Sequence, residues 1–394
     1  MLKQLDNILK NNAYIVSKEV DLSFFKNKNI IITGGTGLIG LNLIYALNEY
    51  KKSLKKTETF KLISISKNKL KAEINYFYKL NRIDHLQLDL SNVNEVNRLP
   101  ECDILIHAAG YGQPKKFLND KISTLALNSS FLLNLTKKLR NNGTVLYLSS
   151  SEVYSGNKKI GHSEKDIGTT DPYHPRSSYI ESKRFGETII KALNDNGYRA
   201  YSARISLAYG PGIFMSDERV INQFIIKALN NKINLLDSGK ALRTYCYITD
   251  ISKILLSIVS SGKKIVYNVG GESTLNIADL AKIIAKKTKS KIVIPNNDNF
   301  DIGAPKNVKM NIQRIKKEFN YKKIAFGLST RYNSLMENID GILETDNIVI
   351  TVVHPTNGPA NLATGETILS GYGDYRAARM TGDLVFDARL LYTI

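Results

Sequence analysis

The sequence predicts an α/β protein in which a doubly wound parallel sheet is followed by a smaller mixed α/β lobe and a β-rich C-terminal tail. Three observations predict this architecture. Short apolar segments alternate with amphipathic ones up to about residue 206, a glycine-rich loop follows the first apolar segment, and the composition changes near residue 344. Short buried strands that alternate with helices are typical of βαβ units covered on both faces.

The individual elements follow from this alternation. Six apolar segments are predicted to be strands, at 29–33, 61–66, 86–88, 103–107, 144–149 and 199–206. Amphipathic helices are predicted between them, at 38–50, 120–141 and 178–195. The predicted organisation is therefore a helical lead at 1–28, a sheet domain at 29–210, a lobe mainly at 211–343 and an extension at 344–394.

The extension differs from the rest of the chain. It contains no lysine from Thr345 to Ile394, and segments 347–355 and 383–394 predict strands separated by turns. An added β-rich module, an oligomerisation arm and a segment of foreign origin all fit this pattern. We assign no chemistry to it.

The formal net charge is +19, but the lysines are spread along predicted helix exteriors. Solvated helix faces explain that distribution better than nucleic-acid binding does, and a basic surface also attracts anionic ligands. No stretch approaches 18 apolar residues, and the first residues lack the apolar run of a secretory signal. Cys102 and Cys246 stand outside any Cys/His cluster. We therefore expect no membrane span, no metal site, no disulfide framework and a cytoplasmic location.

A glycine-rich loop joins the first predicted strand to the first amphipathic helix. Gly34, Gly37 and Gly40 have GxxGxxG spacing. The first glycine permits a tight turn, the second lets the backbone approach a pyrophosphate, and the third lets helix and strand pack closely. The helix N-terminus adds free N–H groups. The sheet domain is therefore predicted to be a dinucleotide-binding domain of the Rossmann type. Its predicted cofactor contacts in this loop are Gly34, Gly37, Leu38, Ile39 and Gly40.

The end of the second strand normally meets the adenosine ribose of the cofactor. Ser66 and Lys67 stand there, and no acidic residue does. A hydroxyl and an ammonium suit a 2′-phosphate, which favours NADP slightly over NAD; the alternative is that Lys67 is a solvated loop charge. Asp89 and Leu90 follow the third strand and are predicted to contact the adenine, unless Asp89 caps a turn or helix.

Tyr179 and Lys183 form a YxxxK pair at the start of a predicted helix, where a separation of four places both on one face. An ammonium beside a phenol lowers the pKa of the phenol, which makes it a usable base near neutral pH. Ser150 and Glu152 follow the fifth strand, at the sheet edge where ligands sit. Ser150 can hydrogen-bond a reacting hydroxyl and Glu152 can act as a second acid or base, unless they only cap the loop and carry solvated charge.

With these motifs the chain resembles the extended short-chain dehydrogenase/reductase family. The matching segments are GGTGLIG at 34–40, HAAG at 107–110, SSSEVY at 149–154, PRSSYIESKR at 175–184 and YGPG at 209–212. The resemblance covers residues 29 to about 340. It is nearest the UDP-glucuronate decarboxylase (UDP-xylose synthase) branch, on residues 151–154, 175–179, 217–220 and 243–245.

The resemblance implies an enzyme that uses NADP or NAD to oxidise C4 of a nucleotide diphosphate sugar carrying UDP, dTDP, CDP or GDP. It makes Tyr179 the base, Lys183 its tuning group and a ligand of the nicotinamide ribose, Ser150 a partner of the hydroxyl proton, and Asn128 a part of the proton path. It also implies lobe 211–343 as mainly substrate-binding, and a homodimer formed through helices 120–141 and 178–195. Cell-surface polysaccharide synthesis is the implied setting.

The resemblance assigns further contacts. Ala108, Ala109 and Gly110 are expected to contact the cofactor, Ser151 and Glu152 the sugar, and Arg219 and Arg243 the diphosphate. A planar guanidinium suits phosphate oxygens because it binds them bidentately.

Three comparisons with the family pattern leave the net reaction open. Leu207 stands where the decarboxylase branch carries an asparagine, and Val308 stands where it carries an arginine that assists at the carboxylate. Ser151-Glu152 stands where dehydratases of the family carry an Asp-Glu pair. C4 oxidation followed by epimerisation, elimination or decarboxylation is the main interpretation. The alternatives are an NADPH-dependent reductase of 4-keto sugars and a non-catalytic dinucleotide-binding scaffold.

Overall fold

The computed structural model describes residues 2–213, 217–272, 274–297 and 305–319, and four two-residue strands beyond them. The strands of the main part are β1 (Asn29–Thr33), β2 (Lys61–Ser66), β3 (Asp84–Gln87), β4 (Cys102–His107), β5 (Leu139–Ser150), β6 (Arg199–Ile205), β7 (Leu207–Tyr209), β8 (Lys232–Asn234), β9 (Leu242–Tyr247), β10 (Val266–Val269), β11 (Thr274–Asn276), β12 (Lys291–Val293) and β13 (Asn307–Val308).

The helices flank these strands. They are α1 (Leu2–Glu19), α2 (Leu38–Lys52), α3 (Ala72–Leu80), α4 (Val93–Asn97), α5 (Pro114–Asn119), α6 (Lys121–Asn128), α7 (Ser130–Thr136), α8 (Ser177–Asp195), α9 (Val220–Leu229), α10 (Ile248–Ser261), α11 (Ile277–Thr288) and α12 (Gln313–Glu318). Short 3₁₀ turns span Ser23–Phe25, Lys56–Glu58 and Ser151–Tyr154.

Seven parallel strands form the central sheet in the order β10-β6-β5-β4-β1-β2-β3. Each face of the sheet buries its own apolar cluster. In β1, for example, Ile30 and Ile32 point into one cluster and Ile31 points into the other. Alternate side chains of a strand point to opposite faces, so a run of isoleucines fills both layers. The predicted Rossmann-type fold is confirmed.

The N-terminal helix α1 is a structural part of this sheet domain. Its residues Leu9, Ala13 and Val16 are buried at helical spacing, and the helix packs on α2 and α10. The buried Asp6 carboxylate accepts hydrogen bonds from the hydroxyl of Tyr45 and the amide of Asn81, both at 2.9 Å. The polar lead predicted for residues 1–28 therefore has one apolar, well-anchored face.

The single helix predicted at 120–141 is wrong. The chain forms α6, breaks at Ser129 (φ −124°, ψ −93°), forms α7 and enters β5 at Leu139. Ser129 Oγ donates to Leu125 O at 2.7 Å, and such side-chain bonds compete with helix continuation. Asn128 is the last residue before the break, which places it under α8.

The smaller lobe does not occupy one continuous stretch. Strands β7, β9, β11 and β13 form one of its sheets, and β8 and β12 form the other. Residues 248–269, which the sequence analysis placed in lobe 211–343, instead return to the central sheet as α10 and β10. The apolar face of α10, including Ile251 and Leu255, is buried in the core, which explains its position.

The C-terminal extension at 344–394 lies outside the described residues, except for two short pairings. Thr351–Val352 pairs in parallel with Arg389–Leu390, and Ala360–Asn361 pairs antiparallel with Thr367–Ile368. Among the residues that the structure describes, no helix has the length and apolar character needed to cross a membrane.

Candidate active site

One cavity of about 1120 Å³ lies at the carboxyl ends of the central strands, bordered by the smaller lobe. The predicted site residues that line it are Gly34, Gly37, Leu38, Ile39, Gly40, Ala108, Gly110, Ser150, Ser151, Glu152, Tyr179, Lys183, Arg219 and Arg243. The predicted site residues outside this lining are Ser66, Lys67, Asp89, Leu90, Ala109 and Asn128. The cavity therefore joins the predicted cofactor loop, catalytic pair and substrate arginines.

The glycine loop has the geometry that its sequence predicts. Gly34 adopts φ +68°, and its N–H donates to Ile65 O at 2.9 Å. A Cβ on Gly34 would lie 2.7 Å from the Ala108 backbone, and one on Gly40 would lie 2.3 Å from Gly34 O. Gly37 is the N-cap of α2. The first residues of this helix, Leu38, Ile39 and Gly40, line the cavity, and a helix N-terminus in that position suits a pyrophosphate.

Gly35 has a role that the sequence analysis did not assign. A Cβ there would lie 2.1 Å from Ser64 Oγ and 2.7 Å from a methyl of Ile44. The Tyr78 hydroxyl donates to Gly35 O at 2.7 Å. The second glycine of the GG pair thus lets the loop sit directly on β2, and the adjacent tyrosine fixes it there.

His107 connects two of the strand ends that form the cleft. Its Nε2 lies 2.9 Å from Leu127 O, a pure acceptor, so Nε2 carries the proton and Nδ1 accepts from Thr33 Oγ1 at 2.9 Å. The Ala109 N–H donates to the same hydroxyl oxygen at 3.2 Å. Burial lowers the pKa of His107 to about 4, so the ring is neutral near pH 7. The HAAG segment is thereby fixed beside the glycine loop.

At the adenosine end, the predicted contacts bond to one another. Lys67 Nζ forms an ion pair with Asp89 at 2.9 Å, although the lysine side chain is 65% exposed. Ser66 Oγ donates to Asn68 O at 2.9 Å. Asp89 accepts the Ser91 N–H at 2.9 Å, so it also forms the turn considered from the sequence. The positive charge proposed for a 2′-phosphate is therefore partly neutralised.

Leu90, the other predicted adenine contact, places its side chain in the apolar core with Ile63 and Ile65. Its position after β3 is therefore explained by packing. Any contact of Leu90 with the adenine would have to come from its backbone.

Tyr179 and Lys183 lie on one face of α8, and both are buried at the wall of the cavity. Lys183 Nζ donates to Leu148 O at 2.7 Å and to Asn128 Oδ1 at 2.9 Å. The same Asn128 oxygen accepts from the Tyr147 hydroxyl at 2.9 Å. The ammonium lies 5.9 Å from the centre of the Tyr179 ring. Asn128, at the end of α6, is thus a direct hydrogen-bond partner of Lys183. Tyr147, which bonds to the same Asn128 oxygen, was not predicted from the sequence.

The pKa values in this pair differ from the sequence-based expectation. Burial raises the pKa of Tyr179 to about 12, although a hydrogen bond from Ser150 opposes this effect. Burial also lowers the pKa of Lys183 to about 7, with Glu187 acting in the opposite direction. The expected lowering of the phenol pKa by Lys183 is therefore not met in the protein alone. The physical reason is that the ammonium is itself desolvated and bonded to Leu148 O and Asn128.

Glu152 is not a solvated loop carboxylate. Its two oxygens receive the Nε and Nη2 groups of Arg176, with the Nε contact at 3.0 Å, and the arginine is buried. The Arg176 guanidinium lies 5.0 Å from the centre of the Phe117 ring, which stacks on Tyr179 at 4.3 Å. Arg176 and Phe117 had no role in the sequence-based predictions. Arg176 stands inside the PRSSY motif, which was the available signal.

The two arginines predicted to bind the diphosphate, Arg219 and Arg243, also line the cavity. Arg219 uses Nε and Nη2 on the Asp217 carboxylate, at 2.6–3.0 Å, and Nη1 on Ala208 O at 3.3 Å. A guanidinium has five N–H groups, so two remain for a ligand. Arg243 donates from Nη1 to Leu242 O at 2.8 Å. The buried Asp217 thus holds Arg219 in a defined orientation.

Both departures from the decarboxylase pattern lie in this cleft. Leu207 and Val308 line the cavity, and the strand carrying Val308 packs against the 3₁₀ turn at 151–154. Val308 pairs in register with Arg243. An apolar side chain therefore stands beside the Ser151-Glu152 turn.

A buried ion pair supports the cleft from behind. Glu187 receives Arg204 Nε at 2.9 Å and Nη2 at 2.7 Å, and both side chains are at most 10% exposed. Ser149, in the cavity wall, donates to Glu187 at 2.6 Å. Arg204 also donates to the Tyr154 hydroxyl at 2.9 Å. This network connects β5, β6 and α8.

Comparison with known proteins identifies the family of the chain. A family profile described as "NAD dependent epimerase/dehydratase family" matches residues 30–270, which is more than half of the chain. The chain belongs to the NAD dependent epimerase/dehydratase family. The resemblance drawn from its motifs is therefore confirmed, and this family is the setting for the glycine loop and the Tyr179–Lys183 pair.

Curated relatives of this epimerase/dehydratase-family chain include nucleotide-sugar enzymes. It is 30% identical over 272 residues to "UDP-glucuronic acid decarboxylase 1" of Xenopus tropicalis, covering 67% of this chain and 61% of the relative. It is 24% identical over 290 residues to "dTDP-4-dehydro-6-deoxy-D-allose reductase" of Streptomyces sp, covering 71% and 86%. The chain spans less than two thirds of the Xenopus tropicalis decarboxylase and of its Danio rerio counterpart, of which it covers 63%.

Solved structures confirm the fold of this family member. UDP-N-acetylglucosamine 4-epimerase from Methanobrevibacter ruminantium M1, in complex with UDP-N-acetylmuramic acid, matches with a TM-score of 0.66 at 22% identity, over 81% of this chain and 99% of that one. DesIV, a dTDP-glucose 4,6-dehydratase from Streptomyces venezuelae with NAD and TYD bound, matches with a TM-score of 0.65 at 18% identity, over 79% and 98%.

Proposed function

We propose that this protein oxidises C4 of a nucleotide diphosphate sugar to a 4-keto sugar with a bound nicotinamide cofactor. The observation that supports this most directly is the shared cavity. The pyrophosphate-type loop at Gly34–Gly40, the Tyr179–Lys183 pair and Arg219 all face the same space. The relatives named for UDP- and dTDP-linked sugars support the same substrate class.

In this proposal each residue acts on a defined group. Tyr179 Oη takes the proton of the sugar C4 hydroxyl, and Ser150 bonds to the same hydroxyl and to the phenol. Lys183, held by Asn128 and Leu148 O, stabilises the phenolate and binds the nicotinamide ribose. Arg219 and Arg243 bind the diphosphate. The nicotinamide supplies the acceptor for the C4 hydride.

The residues of the cleft fit such a cofactor. A side chain on Gly34 would collide with the Ala108 backbone and one on Gly40 with Gly34 O, so both positions require glycine. Gly34, Gly37 and Gly40 line the cavity, where their backbone can approach a pyrophosphate. A Cβ on Gly110 would lie 3.5 Å from Lys183 Nζ, so Gly110 leaves space beside the catalytic lysine.

A second candidate is an NADPH-dependent reductase of a nucleotide 4-keto sugar. Two observations favour it. Ser66 and Lys67 stand at the adenosine end without an acid on β2, and Leu207 and Val308 replace the asparagine and arginine of the decarboxylase branch in the cleft. In the reductive direction Tyr179 donates its proton to the ketone oxygen.

A substrate panel tests both candidates. The protein is incubated with UDP-, dTDP-, CDP- and GDP-sugars and, with NADPH added as the hydride donor, with the corresponding 4-keto sugars; the products are separated by chromatography and analysed by mass. A loss of about 44 mass units indicates decarboxylation, a loss of about 18 dehydration and a gain of about 2 reduction, from the balance of atoms and hydride. Conversion at constant mass without added cofactor indicates epimerisation. If no member of the panel is converted or bound, the proposal fails, and a non-catalytic dinucleotide-binding role is favoured.

The cofactor preference gives a testable prediction at Asp89. We propose a small preference for NADP, because Asp89 offsets the positive charge of Lys67. Replacing Asp89 with Asn removes that offset and is expected to raise the NADP-to-NAD affinity ratio by about two- to fivefold, because an exposed ion pair is worth roughly 0.2–1 kcal/mol. Calorimetric titration with each cofactor measures this ratio. Lys67→Ala should lower it, and a ratio that does not respond to either change excludes this pair as the determinant.

We also propose a homodimer formed through α6 and α8, which pack side by side. These helices expose Ile122 (78% exposed), Leu125 (39%) and Phe185 (49%). Replacing Phe185 with Glu is expected to convert the dimer to a monomer, because a charge in an apolar contact is strongly unfavourable. Sedimentation velocity measures the mass. Tyr14→Glu, a change of an exposed tyrosine on α1, serves as the matched control and should leave the dimer intact.

A further inference from the structure

Three planar groups stack in series at the wall of the cavity. The Arg176 guanidinium lies over the Phe117 ring at 5.0 Å, and the Phe117 ring lies on the Tyr179 ring at 4.3 Å with an interplanar angle of 12°. Arg176 is also the residue that caps α8, and its carbonyl accepts the N–H of Tyr179. Arg176 is therefore linked to Tyr179 in two ways: by a backbone hydrogen bond, and by the Phe117 ring that lies between the guanidinium and the phenol ring.

The same arginine binds the carboxylate of Glu152. Both oxygens of Glu152 are engaged, and only about one sixth of the carboxylate side chain and less of the arginine are exposed. A buried guanidinium–carboxylate pair has no net charge, but each member alone would leave a full charge in a poorly hydrated site. Glu152 raises the pKa of the Tyr179 phenol, and Arg176 lowers it.

Other titratable groups face Tyr179 from the surrounding elements. Lys183 lies on the same helix, Arg219 faces it from the segment before α9, and Tyr147 faces it from β5. Each of the first two is held by a partner: Lys183 by Asn128 and Leu148 O, and Arg219 by Asp217. Glu152 and Arg176 are thus a pair of opposite charges that shift the pKa of the Tyr179 phenol in opposite directions.

We infer that Arg176 is a positioning residue for the reaction, because it neutralises Glu152 beside Tyr179 and clamps Phe117 against the phenol ring. The inference rests on the proposed role of Tyr179 as the base. Under this inference Glu152 does not act as the second acid or base that its sequence position suggested. With both oxygens occupied by Arg176, Glu152 is an acceptor for a sugar hydroxyl and is poorly suited to protonate a leaving group.

A titration that needs no substrate tests this inference. A fluorinated tyrosine, whose phenol ionises at lower pH than tyrosine, is placed at position 179 of the full chain, and its ionisation is followed by fluorine NMR. Arg176→Gln leaves Glu152 unbalanced and is expected to raise the midpoint by about one pH unit. The spacings of 5.0 Å and 4.3 Å across Phe117 put the Arg176 guanidinium within about 9 Å of the Tyr179 ring centre, and a unit charge at that distance has about this effect at an effective dielectric constant near 20. Glu152→Gln leaves Arg176 unbalanced and is expected to lower the midpoint by a similar amount. The double variant should return it towards the starting value.

Arg199 provides a matched control for loss of an arginine. Its guanidinium lies 4.3 Å from the Phe24 ring, outside the cavity lining, so Arg199→Gln should leave the midpoint unchanged. Opposite shifts in the two single variants support charge balance, which a merely structural role would not produce. Equal midpoints, or shifts in the same direction, overturn the inference. If Arg176→Gln does not fold, the downward shift in Glu152→Gln still has to appear.

The titration also separates this inference from the proposed function. If the opposite shifts appear but Tyr179→Phe keeps full turnover, the charge balance is real and the catalytic role of Tyr179 is wrong. If Tyr179→Phe abolishes turnover but the midpoints do not move, the proposed function stands and the role of Arg176 is refuted.

Discussion

Replacing Tyr179 with Phe is expected to lower turnover by two or more orders of magnitude. A general acid or base typically contributes roughly 10²–10⁴-fold to the rate. The Tyr179 hydroxyl is the proposed base, and it is hydrogen-bonded to Ser150 at the cavity wall. The variant keeps the ring that stacks on Phe117, so its fold should be preserved. Turnover is measured with the nucleotide sugar that the panel identifies, and the fold is checked by circular dichroism.

Tyr45→Phe is the matched control for this loss. The Tyr45 hydroxyl donates to the Asp6 carboxylate of α1 and lies outside the cavity lining, so turnover should be retained even if stability falls. The direction of the pH dependence gives a second check. With its pKa raised to about 12, Tyr179 is protonated near pH 7, so oxidation should accelerate as the pH rises and more phenolate forms. Reduction, in which the phenol donates its proton, should not accelerate. Full turnover in folded Tyr179→Phe would contradict the mechanism.

Replacing Arg204 with Met is expected to lower the free energy of unfolding by about 3–5 kcal/mol, because it leaves one member of a buried ion pair without its partner. Arg204 makes two bonds to Glu187 and donates to the Tyr154 hydroxyl and to Glu164 O. Urea denaturation followed by circular dichroism measures the change. A loss in turnover is also expected, because Glu187 holds Ser149 in the cavity wall.

Two further variants interpret that result. Adding Glu187→Gln to Arg204→Met removes the uncompensated carboxylate and should recover part of the lost stability. Lys191→Met breaks an exposed pair with Asp195 on α8 and should have little effect. If Arg204→Met unfolds at the same urea concentration as the natural protein, the buried pair does not stabilise the fold in the way described.

Local sequence patterns predicted the elements that depend on local physics. The bounds of β1 and β2 match the prediction, because each is a short apolar run ended by a turn signal. The glycine loop at 34–40 matched as well, since Gly37 and Gly40 make close contacts with Gly34 in the same loop. The YxxxK spacing placed Tyr179 and Lys183 on one helical face for the same reason.

Features that depend on distant parts of the chain were missed. The return of 248–269 to the central sheet is decided by packing against other elements, and periodicity does not report that packing. The raised pKa of Tyr179 follows from burial, which a residue pair in a sequence does not reveal. The pairing of Arg176 with Glu152 joins residues 24 positions apart across a loop.

The position of β10 at the edge of the central sheet affects how the protein is made. A nascent chain that has reached residue 210 has synthesised β1 to β7, but β6 still lacks the neighbour that β10 provides. The unpaired backbone groups of such an edge invite association with other chains. A single cut of the chain after residue 210 would separate β10 from β6 and leave the same edge exposed. The sheet domain therefore cannot be expressed intact as one contiguous fragment without the smaller lobe.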